Sequence, residues 1–217
     1  SEKIPNEDSQ VLEFNDTNVF DPNHYPGYDL VETGARANYG LRGIWQFAEA
    51  DDFNFLIGQN FRAGSEDTFP FSNDPEESFS DYIARLGLRL GDWLDTHYRV
   101  RFDQAAISAR RQEFNTILNL DPVLLQVDYL NLNADPFLGD RQEIFGYGTL
   151  RLDENWSLMA GARRDMENSK MINALGGLQY QDECFTLFAN LARNFIIDRD
   201  VQPGTSFVLR LQLKNLE

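Results

Sequence analysis

The sequence predicts an all-β protein, an antiparallel up-and-down transmembrane β-barrel sheet of about eleven strands. Three observations carry that prediction. Apolar and polar residues alternate with a period of two along most of the chain, as side chains on a pleated strand must if its two faces meet different surroundings. Short and long links take turns between the alternating stretches. Aromatic residues gather beside the short links.

Residues 1–30 read as an irregular segment, assigned to an extracellular loop: "NEDSQ", "NDTN" and "DPNHYPGYD" are turn formers, and Pro22 and Pro26 interrupt any regular element. Barrel strands occupy 31–217. "TGARANYGLRGIW" places Ala35, Ala37, Tyr39 and Leu41 against Arg36, Asn38 and Arg42. "DFNFLIGQNFR" sets Phe53, Phe55, Ile57 and Phe61 against Asn54, Gly58, Asn60 and Arg62. "SDYIARLGLRL" and "THYRVRFD" repeat the pattern, with Arg85 and Arg89 and then His97, Arg99 and Arg101 on the polar side. "ARRQEFNTILNL", "VLLQVDYLNLN", "RQEIFGYGTLRL", "NWSLMAGARR", "KMINALGGLQY" and "CFTLFANLARNF" follow, blurred only near Ile117 and Phe145. The last strand, in "TSFVLRLQLKNLE", sends Phe207, Leu209, Leu211 and Leu213 one way and Val208, Arg210, Gln212 and Lys214 the other.

The joints "GDW", "DP", "DEN" and "QDE" are brief, whereas "AGSEDTFPFSNDPEESF", "QAAIS", "ADPFLGD", "MENS" and "IIDRDVQPG" are longer or more polar. A membrane barrel sorts its links in this way, with brief turns on one rim and loops on the other; a Greek-key sandwich has no reason to. Trp45, Phe47, Trp93, Trp156, Tyr180 and Phe185 lie at the brief-turn rim, which reads as a girdle of amphipathic rings at the headgroup layer, with edge packing in a soluble sheet as the alternative.

Composition agrees. A net charge of −16 and a pI of about 4.4 exclude nucleic acid as a natural partner, since phosphate binding needs a cationic footprint. No apolar run is long enough for a membrane helix, but strands cross with half their residues polar, so a mean hydropathy of −0.46 is compatible with a membrane. The chain starts at Ser1 without Met, which reads as a processed chain or a piece of a longer one.

No catalytic arrangement emerges, and the sequence reads as a non-enzyme without cofactor or metal. His24 and His97 lack metal-ligand spacing, and no serine sits in a nucleophile elbow. The acidic clusters "NEDSQ" and "NDPEES" read as solvated loop tips, with a hard-cation role as the alternative. The sustained chemical feature is arginine. Arg36, Arg42, Arg62, Arg85, Arg89, Arg99, Arg101 and Arg210 share the polar faces and are candidate luminal residues. They either pair with Asp81, Asp103, Glu113 and Asp128 on neighbouring strands or meet the phosphates and carboxylates of passing cargo.

The segments "IPNEDSQ", "FNDTNVFDPNHYPGYD", "NYGLRG", "GQNFRA", "SDYIARLGLRL", "NWSLMAGARRDMENSKM", "GLQYQDECFTL" and "RDVQPGTSFVLRLQLKNL" together resemble the C-terminal part of the LptD (OstA/Imp) family of LPS-assembly proteins, from about residue 4 to 216. The resemblance implies that 31–217 is the C-terminal part of a larger outer-membrane barrel in a Gram-negative bacterium. Its function would be to insert lipopolysaccharide into the outer leaflet, and a general porin-like diffusion barrel is the alternative. It implies lipopolysaccharide, an LptE lipoprotein plug and a periplasmic LptA bridge, through an N-terminal domain, as partners. The strand with Phe207, Leu209, Arg210, Leu211, Gln212, Leu213 and Lys214 would form a lateral gate, with the leucines toward lipid. It also implies an interdomain disulfide at Cys184, the sole cysteine; Glu183 stands where family members have a second one.

Overall fold

The computed structural model describes residues 16–17, 19–21, 35–63, 79–103, 108–135, 139–197 and 202–214. Its eleven strands are β1 (Ala35–Ala48), β2 (Asp51–Ala63), β3 (Tyr82–Leu90), β4 (Leu94–Phe102), β5 (Ala109–Leu120), β6 (Val123–Asp135), β7 (Gly139–Arg151), β8 (Trp156–Asp165), β9 (Lys170–Gln181), β10 (Phe185–Asn194) and β11 (Gly204–Leu213). Each pairs antiparallel with the next, so one sheet runs in chain order from β1 to β11. No helix occurs among the described residues. The sheet is open, and β1 and β11 do not touch.

Turn chemistry explains where the strands reverse. Asp153 accepts hydrogen bonds from the amides of Asn155 at 2.8 Å and Trp156 at 2.7 Å, closing the β7–β8 link. Asp182 does the same for Cys184 at 2.8 Å and Phe185 at 2.9 Å between β9 and β10. A short carboxylate that bonds the backbone two and three residues on imposes a tight reversal. Gly91, with φ of 49°, takes the left-handed position in the β3–β4 turn. Glu49 and Ala50 add a tight β1–β2 link on the same rim, one the sequence reading did not single out.

The ladders keep one set of residues on one face across the whole sheet. Leu86 faces Tyr98, Tyr98 faces Phe114, Phe114 faces Tyr129, and Tyr129 faces Ile144. One residue along, Arg85 faces Arg99, Arg99 faces Glu113, Glu113 faces Leu130, and Leu130 faces Glu143. A slip of one position anywhere would exchange the faces, so the apolar pattern holds the register.

Burial is inverted relative to a water-soluble globule. Leu41, Trp45, Phe207 and Leu209 on the apolar face are between 61% and 72% exposed, whereas Leu56, Ile83 and Leu132, interspersed on the charged face, are nearly sealed. Ile117 and Phe145, the two ambiguous positions of the pattern, both lie on the charged face, where the register puts them opposite Asp95 and Asp128.

The contrast is testable by urea unfolding of the full-length protein in detergent. Leu132→Ala should cost about 2–5 kcal/mol, because it opens a cavity. Leu209→Ala should cost under about 1 kcal/mol, because its side chain meets few protein atoms. Equal losses would place Leu209 in a packed core and refute the two-sided sheet.

Candidate functional site

The charged face of β2–β5 is the most densely connected polar surface in the described residues. Arg99 on β4 sits 3.3 Å from Glu113 on β5, which also takes Arg111 Nε at 2.5 Å. Arg101 lies 3.2 Å from Asp81, and both side chains are about nine-tenths buried. Arg110 reaches Asp81 at 3.7 Å and Asp103 in a closer pair. Arg89 lies between Asp95 at 3.6 Å and Asp52 at 3.9 Å, and His97 Nε2 is 2.9 Å from the same Asp95. Cross-strand pairing, one of the two roles open to these arginines in the sequence, therefore occupies Arg89, Arg99 and Arg101. Asp128 differs, because its carboxylate is held by the amides of Asn115 at 3.0 Å and Gln126 at 2.8 Å.

Arg85 has a partner that the strand pattern does not contain. Its Nη1 donates to Asp16 at 3.0 Å, and Arg99 Nε approaches the same carboxylate oxygen at 3.4 Å. Asp16 is buried, and Val19, three residues on, is completely enclosed. Room for the segment comes from glycine: a Cβ on Gly58 would meet Val19 at 2.8 Å, and one on Gly40 would meet the Phe20 ring at 3.0 Å. Asn38 Nδ2 donates to the Asp21 carbonyl at 2.9 Å. Residues 16–17 and 19–21 thus lie over the charged face of β1–β4. Asp16 stands 69 residues before Arg85 in a stretch without periodicity, so only its carboxylate type hinted at the role.

Toward the other edge the guanidiniums stack on rings. Arg163 lies 5.6 Å from the Phe145 centroid and Arg210 4.5 Å from that of Phe188. Arg42 is exposed on the charged face, and Arg36 occupies the register position opposite Arg62. His24 and the clusters "NEDSQ" and "NDPEES" lie outside the described residues.

At the tight-turn rim, Cys184 is exposed. The Lys214 amide donates to the Cys184 carbonyl, and Lys214 Nζ to the Asp182 carbonyl, both at 2.8 Å, so the end of β11 is fastened to this turn. The amides of Phe185 and Cys184 hold the Asp182 carboxyl below the ordinary carboxylate value of 3.8. Gln212 faces Thr186 across the same ladder, and Leu211 faces Leu187.

The family model for LptD, LPS transport system D, matches residues 1–156. The chain is similar to proteins called "LPS-assembly protein LptD" in three genera. It is 23% identical to that of Nitrosococcus oceani over 215 residues, which is 96% of this chain and 28% of the relative. For Idiomarina loihiensis the figures are 20% over 212 residues, 92% and 27%, and for Salmonella paratyphi A 22% over 209 residues, 85% and 26%. The chain spans little more than a quarter of the length of these relatives.

Two outcomes test this geometry. Asp16→Asn should destabilise the full-length protein by about 1–3 kcal/mol, discounted because Arg85 and Arg99 keep some solvent. It should also open the segment around Asp16 and Val19 to limited proteolysis, and unchanged cleavage would refute the clamp. Because Asp182 titrates lower in the folded state, its turn is stabilised above pH 3.8 and loses that support as pH falls through the lower folded value. Amide protection at Cys184 and Phe185 should therefore persist down to the ordinary carboxylate range; loss at pH 5 would contradict the assignment.

Proposed function

The chain belongs to the LptD, LPS transport system D, family, and from that premise we propose that it forms part of an outer-membrane apparatus that transports and assembles lipopolysaccharide. Its place is the outer membrane of a Gram-negative bacterium. The observation that carries the reading is the two-sided sheet: one face is apolar and open, the other charged and ion-paired. Hydrocarbon suits the first face, and hydrated sugar and phosphate the second. The relatives' shared description, LPS-assembly protein, brings in the cargo.

In this proposal residues 31–217 form the C-terminal part of the barrel, and residues 1–30 belong to a loop on its extracellular side. The lumen is lined by Arg36, Arg42, Arg62, Arg85, Arg89, Arg99, Arg101 and Arg210. The gate strand is β11. All ten of its residues are exposed, its outer edge meets no described strand, and Arg210 and Gln212 stand on the charged side while Phe207, Leu209, Leu211 and Leu213 stand on the apolar side. An unpaired edge with these faces lets acyl chains leave sideways while polar groups stay in water. The partners in this proposal are LptE as a plug against the charged face and LptA through a further periplasmic domain. Cys184, exposed in a turn at the tight-link rim, is accessible for a disulfide to that domain.

The test is site-specific photocrosslinking in the full-length protein. A photoreactive residue at Arg210 or Gln212 should capture lipopolysaccharide. Labelling by bulk phospholipid alone would overturn the reading.

A further inference from the structure

The apolar face is not apolar throughout. On β8 the residues facing outward from the tight-turn rim are Trp156, Leu158, Ala160 and Ala162, and then Arg164; on β10 they are Phe185, Leu187, Ala189 and Leu191, and then Arg193. The register puts Arg164 opposite Ile144 and Arg193 opposite Ala174 and Thr205, so both guanidiniums are carried on the lipid-side face rather than the charged one. Neighbouring strands turn polar close by: Thr205 on β11 stands in the row of Arg193, and Gln142 on β7, Asn131 on β6 and Gln112 on β5 form a row one step beyond that of Arg164. A polar belt therefore crosses this face toward the long-link rim, and its cations stand on β8 and β10.

The spacing has a physical meaning. Trp156 and Arg164 are eight residues apart on one strand, roughly 26 Å along it and about 20 Å of height at a typical barrel tilt. The apolar band of an outer-membrane barrel is about 25 Å tall between its two interfaces. With Trp156 at one boundary, the Arg164 backbone stands about 5 Å short of the other, a distance that its long side chain spans by snorkelling. An arginine at mid-height on a lipid-facing wall is strongly disfavoured, and one at the interface is tolerated. The two cations thus sit where headgroups begin.

The belt's amides already have neutral partners: Gln112 accepts from the Tyr98 hydroxyl at 3.1 Å, and Gln142 donates to that of Tyr129 at 2.7 Å. The guanidiniums differ. Both are exposed, and among the described residues neither pairs with a carboxylate; Arg193 rests over the Phe195 ring, 5.0 Å from its centroid. With β9 between them they are about 10 Å apart across the sheet, and because Arg193 is level with Ala162 rather than with Arg164 they are also offset by about 7 Å along it, about 12 Å in all, a gap that two long flexible side chains can close around one headgroup.

We propose that Arg164 and Arg193 form a docking site on the outer wall of the barrel for the phosphate of a membrane lipid in the leaflet on the long-link side. The proposal rests on the transmembrane reading above, but it concerns the wall and not the lumen or the gate strand. Charge complementarity selects the occupant, because phosphate is the anion that a lipid presents at this depth and the guanidinium fork matches its oxygens.

The experiment uses the full-length protein in phosphatidylcholine membranes, with spin-labelled phosphatidic acid and spin-labelled phosphatidylcholine as probes. The motionally restricted component of the spectrum reports lipid held at the wall. Phosphatidic acid should be preferred on the order of fivefold, the scale of one basic residue meeting an anionic headgroup. The R164Q/R193Q double variant should bring the ratio close to one, and Arg163→Gln, on the opposite face, should leave it unchanged. Should the double variant not fold, salt at about 1 M should erase the preference in the unaltered protein by screening. A ratio near one in the unaltered protein, or a preference that survives both the substitutions and salt, overturns the site. Absence of any restricted component for either probe would instead sink the transmembrane reading itself.

Discussion

Backbone pairing is the constraint on which the rest of the molecule depends. In hydrocarbon no water is available for an N–H or C=O group, so each must be satisfied by the next strand. Ten consecutive antiparallel ladders do this from β1 to β11. Because the pleat has a period of two, the same ladders divide every side chain between two faces. The charged rows and the greasy rows are thus one decision made once and propagated sideways. Bulges interrupt it locally, between Arg101 and Phe102 and between Arg163 and Arg164, without exchanging the faces beyond them.

Ion pairing on the charged face answers a different requirement. Arg101 and Asp81 are almost wholly buried, and an unpaired charge there would be far more costly than the pair. Such a network adds little net stability over an apolar packing of the same volume. What it contributes is selection among registers, since moving one strand by two residues would part Arg99 from Glu113. The apolar pattern alone would tolerate that shift, because it preserves the faces.

All eleven strands were legible because alternation and turn formers speak about neighbours in the chain. Residues such as Arg85 and Arg99 could be given a face simply by counting positions from Leu86 and Val100. Asp16 could not be placed in this way. Its partners are far along the chain, and nothing periodic precedes it, so its burial follows from a fold-back that only tertiary structure displays. Asp128 was misleading in a milder way: its position suggested an arginine partner, but the side-chain amides of Asn115 and Gln126 each bond one of its oxygens. Arg163 shows why Phe145 blurred the pattern, since an aromatic ring on a polar face can serve as the seat for a cation.

The meander also carries a parity. Strands one and eleven are separated by ten reversals, so β1 and β11 point the same way. Were they to meet directly, the seam would be a parallel ladder, unlike every other in the sheet. A closed cylinder built only from antiparallel neighbours holds an even total, so any segment that completes this wall in that manner supplies an odd number of strands.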